Sequence, residues 1–525
     1  MIESMSKSSF NESNRTSNSI KTSFWGVSRS VLDILLGFVY RTIFIKVLSA
    51  EYLGLNGLFS NILQVLSLAE LGITTAIVYR FYKPISNGDF IQVGKLMNYL
   101  KKVYRYIAII ILGTGLVLTP FLNFFINDTA TIPADVNIFY IYLLFLLNTV
   151  SSYLFVYKQT IVSADQRGYI VAVVGLVTSI VRYSMQVAIL FLFKDYSATL
   201  LASVTINIVS NIIFSTYAVR KYRDVFDVKD ELDAEEKKEI INDTKAVMFH
   251  KVGATVKLST DSIILSKYVS LISAGIYSNY SMIISGLQTV MGQLLGNFVS
   301  SIGNAHVKLS KEENYVIYNK LLFIDLWLSS VVGVCTYLLL NDFIILWIGK
   351  DYLFDKVTLI MLCLQFYIFI SRQINISYTN GCGLFLRDRY RPIIEVIINL
   401  VLSIIGVKLW GIVGVFAGTV VSSVLTVFWR EPYILYKEEF EQPVRKYWKT
   451  YFKFLFISVI ICILGDLIKD KLIIIDSFIF LIIEAIVSFA IINIVLFIVF
   501  RRTEDYVYMK HLCLNIVKRK LKSQK

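Results

Sequence analysis

Apolar runs long enough to cross a membrane recur about fourteen times in this chain, and basic residues gather in every second connection between them. That pattern leaves few folds open. A helix needs ~20 residues to span hydrocarbon. The lipid core also forces every backbone polar group to be satisfied within the protein. The runs fall at 24–48, 56–82, 103–126, 134–157, 169–193, 196–219, 244–268, 272–303, 318–340, 357–384, 391–408, 411–436, 450–469 and 472–500. Of the 525 residues 56% are hydrophobic and only 17% charged, below the roughly one quarter usual in soluble domains. The expected fold class is an all-α polytopic membrane protein with about 14 transmembrane helices. The most polar run, 244–268, carries His250, Lys251, Lys257 and Asp261. Its apolar positions keep helical spacing, so it reads as an amphipathic helix facing a cavity.

The connections orient the chain. With a cytoplasmic N-terminus, inner loops and tails hold roughly 39 Lys and Arg and outer loops about 7, as the positive-inside rule requires. The outer loops at 49–55 and 127–135 hold none. One helix more or fewer would invert every later loop, so an even count with both termini cytoplasmic is expected. The net charge of +14 therefore belongs to one membrane face, which argues against nucleic-acid binding. The closing run Lys518, Arg519, Lys520, Lys522 and Lys525 suits anionic lipid. No cleavable leader is read at the N-terminus: the first 20 residues are polar and lack an apolar core.

The expected organisation is a tail at 1–23, a first lobe of six helices at 24–223, a charged linker at 224–243 and a second six-helix lobe at 244–440. Two further helices at 441–500 and a basic tail at 501–525 complete it. A faint repeat supports the two lobes. Thr42–Leu63 aligns without gaps to Ile263–Ile284, with Ile43, Lys46, Ser49, Gly54, Ser60 and Ile62 matching Ile264, Lys267, Ser270, Gly275, Ser281 and Ile283. Both copies run in the same membrane direction. Such parallel repeats are a transporter architecture, with a substrate site near the midplane.

Ionisable residues at membrane depth usually face a bundle interior or a watery cavity. Arg29, Asp33 and Arg41 lie at four- and eight-residue steps in the first span, with Gly37 between, on one helix face. Arg182, Lys257, Asp261 and Arg372 complete the set. Lys257 and Asp261, like Arg29 and Asp33, sit one turn apart and can pair. Five cations against two acids suit an anionic substrate, and Arg binds phosphate through a planar fork. Asp33 and Asp261 are the candidates for charge pairing or for coupling to a proton or sodium gradient. Tyr277, Asn279, Tyr280, Asn375, Tyr378 and Asn380 can hydrogen-bond sugar hydroxyls or simply pack helices. No metal site or other cofactor is expected. The five cysteines show no CxxC spacing, and the three histidines are far apart. Walker A, GxSxG and HExxH sequences are absent, so a transporter is expected rather than an enzyme.

The stretch Leu48–Asp89, LSAEYLGLNGLFSNILQVLSLAELGITTAIVYRFYKPISNGD, resembles the amino-terminal signature of bacterial polysaccharide repeat-unit flippases. These form the Wzx-like branch of the multidrug/oligosaccharidyl-lipid/polysaccharide exporter superfamily. EYLGLNGLFSNIL, LSLAELGI and the YKPI ending carry the resemblance, and the helix count, central linker and two extra C-terminal helices extend it along the chain. The resemblance implies two six-helix lobes in a MATE-like V shape around a cationic cavity. It implies movement of an undecaprenyl-pyrophosphate-linked oligosaccharide between leaflets of the bacterial cytoplasmic membrane by alternating access, for capsule, exopolysaccharide or O-antigen assembly. Membrane lipids, a polysaccharide polymerase and glycosyltransferases are the candidate partners. The family's cavity cations follow no strict motif, so Arg29, Arg41, Arg182, Lys257 and Arg372 stand as substrate-binding candidates on the charge argument alone. The alternatives are a cation-coupled multidrug exporter, which would call for an acidic cavity, and a non-transporting assembly or polymerase subunit.

Overall fold

The computed structural model describes residues 15–67, 73–128, 132–296, 298–299, 302, 306, 308–384, 388, 390–469 and 477–511. Glu70 and the basic run at 518–525 lie outside these residues, as does the side chain of Lys257. Among the described residues there is no strand, and nine helices are long and apolar enough to cross a membrane. One of these, Arg391–Glu439, contains a reversal and holds two of the expected runs. Of the four remaining runs, 56–82 falls on two shorter helices, Ala50–Leu66 and Ile73–Asn87, and the other three on long helices that are more polar. The chain is an all-α multi-pass membrane protein. It divides into two compact units, Met1–Ser278 and Asn279–Lys525.

The first unit contains α1 (Arg15–Val47), α2 (Ala50–Leu66), α3 (Ile73–Asn87), α4 (Phe90–Leu118), α5 (Ile138–Ala164), α6 (Gly168–Phe193), α7 (Tyr196–Lys221) and α8 (Ala234–Tyr268), with the first two turns of α9 (Leu271–Gly296). Side-chain caps set several starts: Asp89, Asn137 and Asp195 accept from the backbone N–H of Gln92, Tyr140 and Ala198, the first-turn donors a helix leaves unpaired. α1 packs along α6, α5 lies against α4 and α7, and α8 covers α2 and α3. The linker is pinned to α4, where Asn98 donates to the Val228 carbonyl at 2.8 Å and Lys102 pairs with Glu231.

The sequence repeat has a physical counterpart here. A side chain on Gly54 would lie 2.2 Å from the Leu271 carbonyl, and one on Gly275 would lie 2.5 Å from the Ala50 carbonyl. In the repeat register Gly54 corresponds to Gly275 and Ala50 to Leu271, so the two contacts are the same contact seen from each side. Gly57 and its counterpart Ser278 face each other, and Ser262, the counterpart of Arg41, also lies against Gly57. Reciprocity of this kind marks a local two-fold axis. The matched glycines are needed because the N-terminal turns of α2 and α9 approach backbone to backbone.

The second unit contains the rest of α9, then α10 (Lys311–Ile348), α11 (Lys356–Ile370), α12 (Gln373–Gly381), α13 (Arg391–Ser423), α14 (Trp429–Ile434), α15 (Arg445–Lys469) and α16 (Phe478–Phe500). α13 reverses at Trp410 and Gly411, the latter at φ 58°, so the expected run 391–408 and the start of the run 411–436 form an antiparallel pair within it. Its arms touch through glycine: a side chain on Gly414 would meet the Gly406 carbonyl at 1.9 Å. Close approach through small residues is how helices pack without a hydrophobic driving force. Asn399 donating to Thr419 at 2.8 Å closes the pair. Turns of π-helix at 424–428 and 435–439 flank α14, which contains Pro432; proline lacks the N–H an α-helical ladder requires.

α15 and α16 pack on α10. Glu484, an acid in the last span, is explained there: Lys469 bonds both Glu484 and Asp342. Three of the sugar-binding candidates of this unit, Tyr280, Asn375 and Tyr378, are buried and bonded within it. Tyr280 donates to Asn341 at 2.7 Å, Tyr318 donates to Asn375 at 2.8 Å, and Tyr378 donates to Asn314 at 3.4 Å.

Candidate functional site

Three helices of the first unit leave a polar cavity of about 190 Å³ between them. α1 contributes Arg29 and Asp33, α6 contributes Thr178, Ser179 and Arg182, and α7 contributes Asn207, Ser210 and Asn211, with Gln159 of α5 at the edge. The cavity exists because α6 carries Gly175 where the Arg29 guanidinium lies: a Cβ there would fall 2.3 Å from Arg29 Cζ. Thr178 and Ser210 hydrogen-bond each other across α6 and α7. Asn207 donates to Asn148 at 2.9 Å, which fixes its amide.

The electrostatics leave charge to spare. Arg29 Nε stands 3.5 Å from Asp33 Oδ2, one turn on, and both side chains are about a third exposed. Such a pair contributes at most about 1 kcal/mol. Arg182 lies 4.7 Å from the centre of the Tyr183 ring, and its Nε is buried without a hydrogen-bond partner, as is Asp33 Oδ1. An unsatisfied buried donor costs roughly 1–3 kcal/mol. Two guanidinium groups and one carboxylate leave one net positive charge, ringed by the amides of Gln159, Asn207 and Asn211. At ~30 Å³ per water the space holds roughly six waters. That admits one anionic group but falls short of the ~300–1,000 Å³ of a pocket that engulfs a whole organic ligand.

The structure thus brings Arg29, Asp33 and Arg182 together and places the other candidates elsewhere. Arg41, twelve residues beyond Arg29, is roughly 18 Å further along α1; it donates to Ser278 near the local two-fold axis. The single stripe read in the sequence therefore serves two places. Asp261, on α8, is 1% exposed and lines no part of this cavity. Lys257 is one turn before it on α8, with its side chain outside those described.

Arg372 belongs to the second unit, and it is not a free cavity cation. Its Nε and Nη2 donate to the two oxygens of Glu431 at 2.9 and 2.6 Å. Arg391 bonds Asp388, Glu395 at 3.3 Å and Glu431 at 3.2 Å, and Arg430 bonds Asp388 at 2.6 Å. Three arginines thus meet three carboxylates. Sequence reasoning missed Glu431 because it lies 59 positions from Arg372, with no periodicity linking them; an acid beside Pro432 inside an apolar run was the available signal. Among the described residues one group of side chains could hold a metal ion: His306, Cys382 and Glu439, in the second unit.

No family model and no curated protein matches the chain. Solved structures do. Lipid II flippase MurJ in an inward closed conformation aligns over 92% of this chain and 100% of its own, with a TM-score of 0.64 and 14% identity. An inward-facing multidrug resistance MATE family transporter of the MOP superfamily aligns over 78% of this chain and 97% of its own, at 0.56 and 13%. The Vibrio cholerae MATE transporter VcmN aligns over 82% of this chain and 99% of its own, at 0.53 and 13%. At these identities the likeness is one of fold: this chain has the all-helical, multi-pass architecture of MurJ and the MATE transporters.

Proposed function

We propose that the chain is a flippase that carries an undecaprenyl-pyrophosphate-linked oligosaccharide from the inner to the outer leaflet of the bacterial cytoplasmic membrane by alternating access. Its product would feed capsule, exopolysaccharide or O-antigen assembly. The observation that carries this reading is the cavity between α1, α6 and α7, with its surplus positive charge and the partnerless Arg182 Nε. A charged head group cannot enter hydrocarbon without replacement of its hydration. Arg29 and Arg182, which line the cavity, supply that replacement to a phosphate in this reading, through charge-assisted forks. Asp33 holds Arg29 in a loose pair until the anion arrives. The amides of Gln159, Asn207 and Asn211 suit hydroxyl or phosphate oxygens. The fold shared with a lipid II flippase agrees with a lipid-linked substrate, and the Leu48–Asp89 signature points to the polysaccharide branch.

Deletion and complementation test the proposal. Loss of the gene should strand lipid-linked repeat units on the inner leaflet and abolish surface polysaccharide, with rescue by the intact chain but not by Arg182→Gln. An unchanged glycan together with altered drug susceptibility would replace this reading with multidrug export.

A further inference from the structure

The geometry points to a zinc-type transition-metal site in the second unit, built from His306, Cys382 and Glu439. The three residues arrive from separate segments. His306 lies in the connection between α9 and α10, Cys382 caps the C-terminus of α12, and Glu439 ends the second π turn. One ligand atom from each, an imidazole nitrogen, a thiol sulfur and a carboxylate oxygen, lies within 4.8 Å of the other two. Bonds of about 2.0–2.3 Å to a tetrahedral zinc set such atoms roughly 3.3–3.8 Å apart. Binding therefore asks the hydrogen-bonded His306 and Glu439 atoms, now 2.7 Å apart, to part by about half an ångström and the widest separation to close by about an ångström, shifts within reach of side-chain rotation.

The surroundings are those of a metal site. Glu439 is 5% exposed, and its Oε1 is already oriented by Asn314 Nδ2 at 2.7 Å. Asn314 is held in turn by the Tyr378 hydroxyl. Outer partners of this kind fix ligand direction. His306 Nδ1 stands 2.7 Å from the same Oε1, so the hydrogen bond lies where an ion would bridge the two. Cys382 is a free thiol. The mixture of one nitrogen, one sulfur and one oxygen donor favours zinc over calcium or magnesium, which take oxygen alone. The His306 side chain is 42% exposed, which gives an entry route and leaves the fourth position to water. Binding releases the thiol proton and ties the end of the π turn to α12, just before the connection to α15 and α16.

The test uses the full chain purified in detergent with its tag removed, stripped with EDTA and titrated with Zn²⁺ alone. Near-equimolar zinc should be retained at ~1 µM or tighter, and His306→Gln or Cys382→Ser should weaken binding by ~100-fold, whereas Cys462→Ser should not. In the unsubstituted chain zinc should slow alkylation of Cys382 by ~10-fold and leave Cys335 and Cys462 unaffected. That labelling decides the matter if the variants fold poorly. No retained zinc, or retained zinc that leaves Cys382 labelling unchanged, overturns the site. Neither readout depends on transport, so this proposal and the flippase reading stand or fall separately.

Discussion

The two units treat the same side chain in opposite ways. In the second, Arg372, Arg391 and Arg430 face Asp388, Glu395 and Glu431 in matched number, and the Arg372–Glu431 pair is more than nine-tenths buried. In the first, Arg29 and Arg182 share a cavity with only Asp33. Arginine at membrane depth therefore does not by itself mark a binding site. What distinguishes a site is charge left over after the protein's own acids are counted. A matched network has nothing to offer a ligand and strongly resists losing one member. A mismatched cavity pays in stability for its readiness to bind.

The comparison is sharpest at Glu431. Glu431→Gln leaves Arg372 and Arg391 facing a neutral amide, and breaking a buried pair this way costs about 3–5 kcal/mol. The apparent melting temperature of the second unit in the detergent-solubilised chain should fall by about 6–10 °C. Arg372→Gln combined with Glu431→Gln should recover part of that loss, since neither charge is then stranded. A Glu431→Gln protein that melts like the parent would break the comparison.

Arg182→Gln should do the reverse. Its side chain is half-buried and its Nε lacks a partner, so melting should move little. Complementation of surface polysaccharide should drop by roughly 10–100-fold, the worth of a charge-assisted hydrogen bond of about 1.5–3 kcal/mol. Gly175→Ala sharpens the same point through geometry. The new methyl occupies the seat of the Arg29 guanidinium and should re-aim it, lowering complementation several-fold at near-parental stability. Arg29→Ala joined to Gly175→Ala should be no worse than Arg29→Ala alone, because the glycine acts only through that arginine. Additive losses would show that Gly175 serves some other contact.

Much of this was legible in the sequence, and the limit has a physical form. Apolar runs place the helices because the bilayer imposes length. The Gly54 and Gly275 match is legible as a repeat, but that the two helices meet there backbone to backbone comes from the fold. The spacing of Arg29 and Asp33 puts them on one face, but Arg41 on that same stripe is a cavity-length away along the helix. What pairing and depth decide is not written in period. Glu431 against Arg372, Gly175 beneath Arg29, and His306 beside Cys382 and Glu439 are each joined by packing across distant segments. Composition could count the cations of this chain, but only the fold shows which of them lack acids.

The smallest effect is expected where charges pair in water. Glu231, in the linker, accepts from Lys102 and, at 3.2 Å, from Lys237. Hydrogen bonds and charge from Lys102 and then Lys237 hold its carboxyl below the ordinary value of 4.5. A depressed folded value means that the pair's contribution is full above that ordinary value and is lost as pH falls through the folded one. Any effect of Lys102→Gln on melting should therefore be present near pH 7, shrink only once the pH passes below about 4.5, and stay within a degree or so throughout. The geometry is a close ion pair, as at Arg372 and Glu431, but solvent screens both partners. If Lys102→Gln destabilised as much as Glu431→Gln, pairing alone would set the energy. Burial would then have no part in separating a structural arginine from one free to bind.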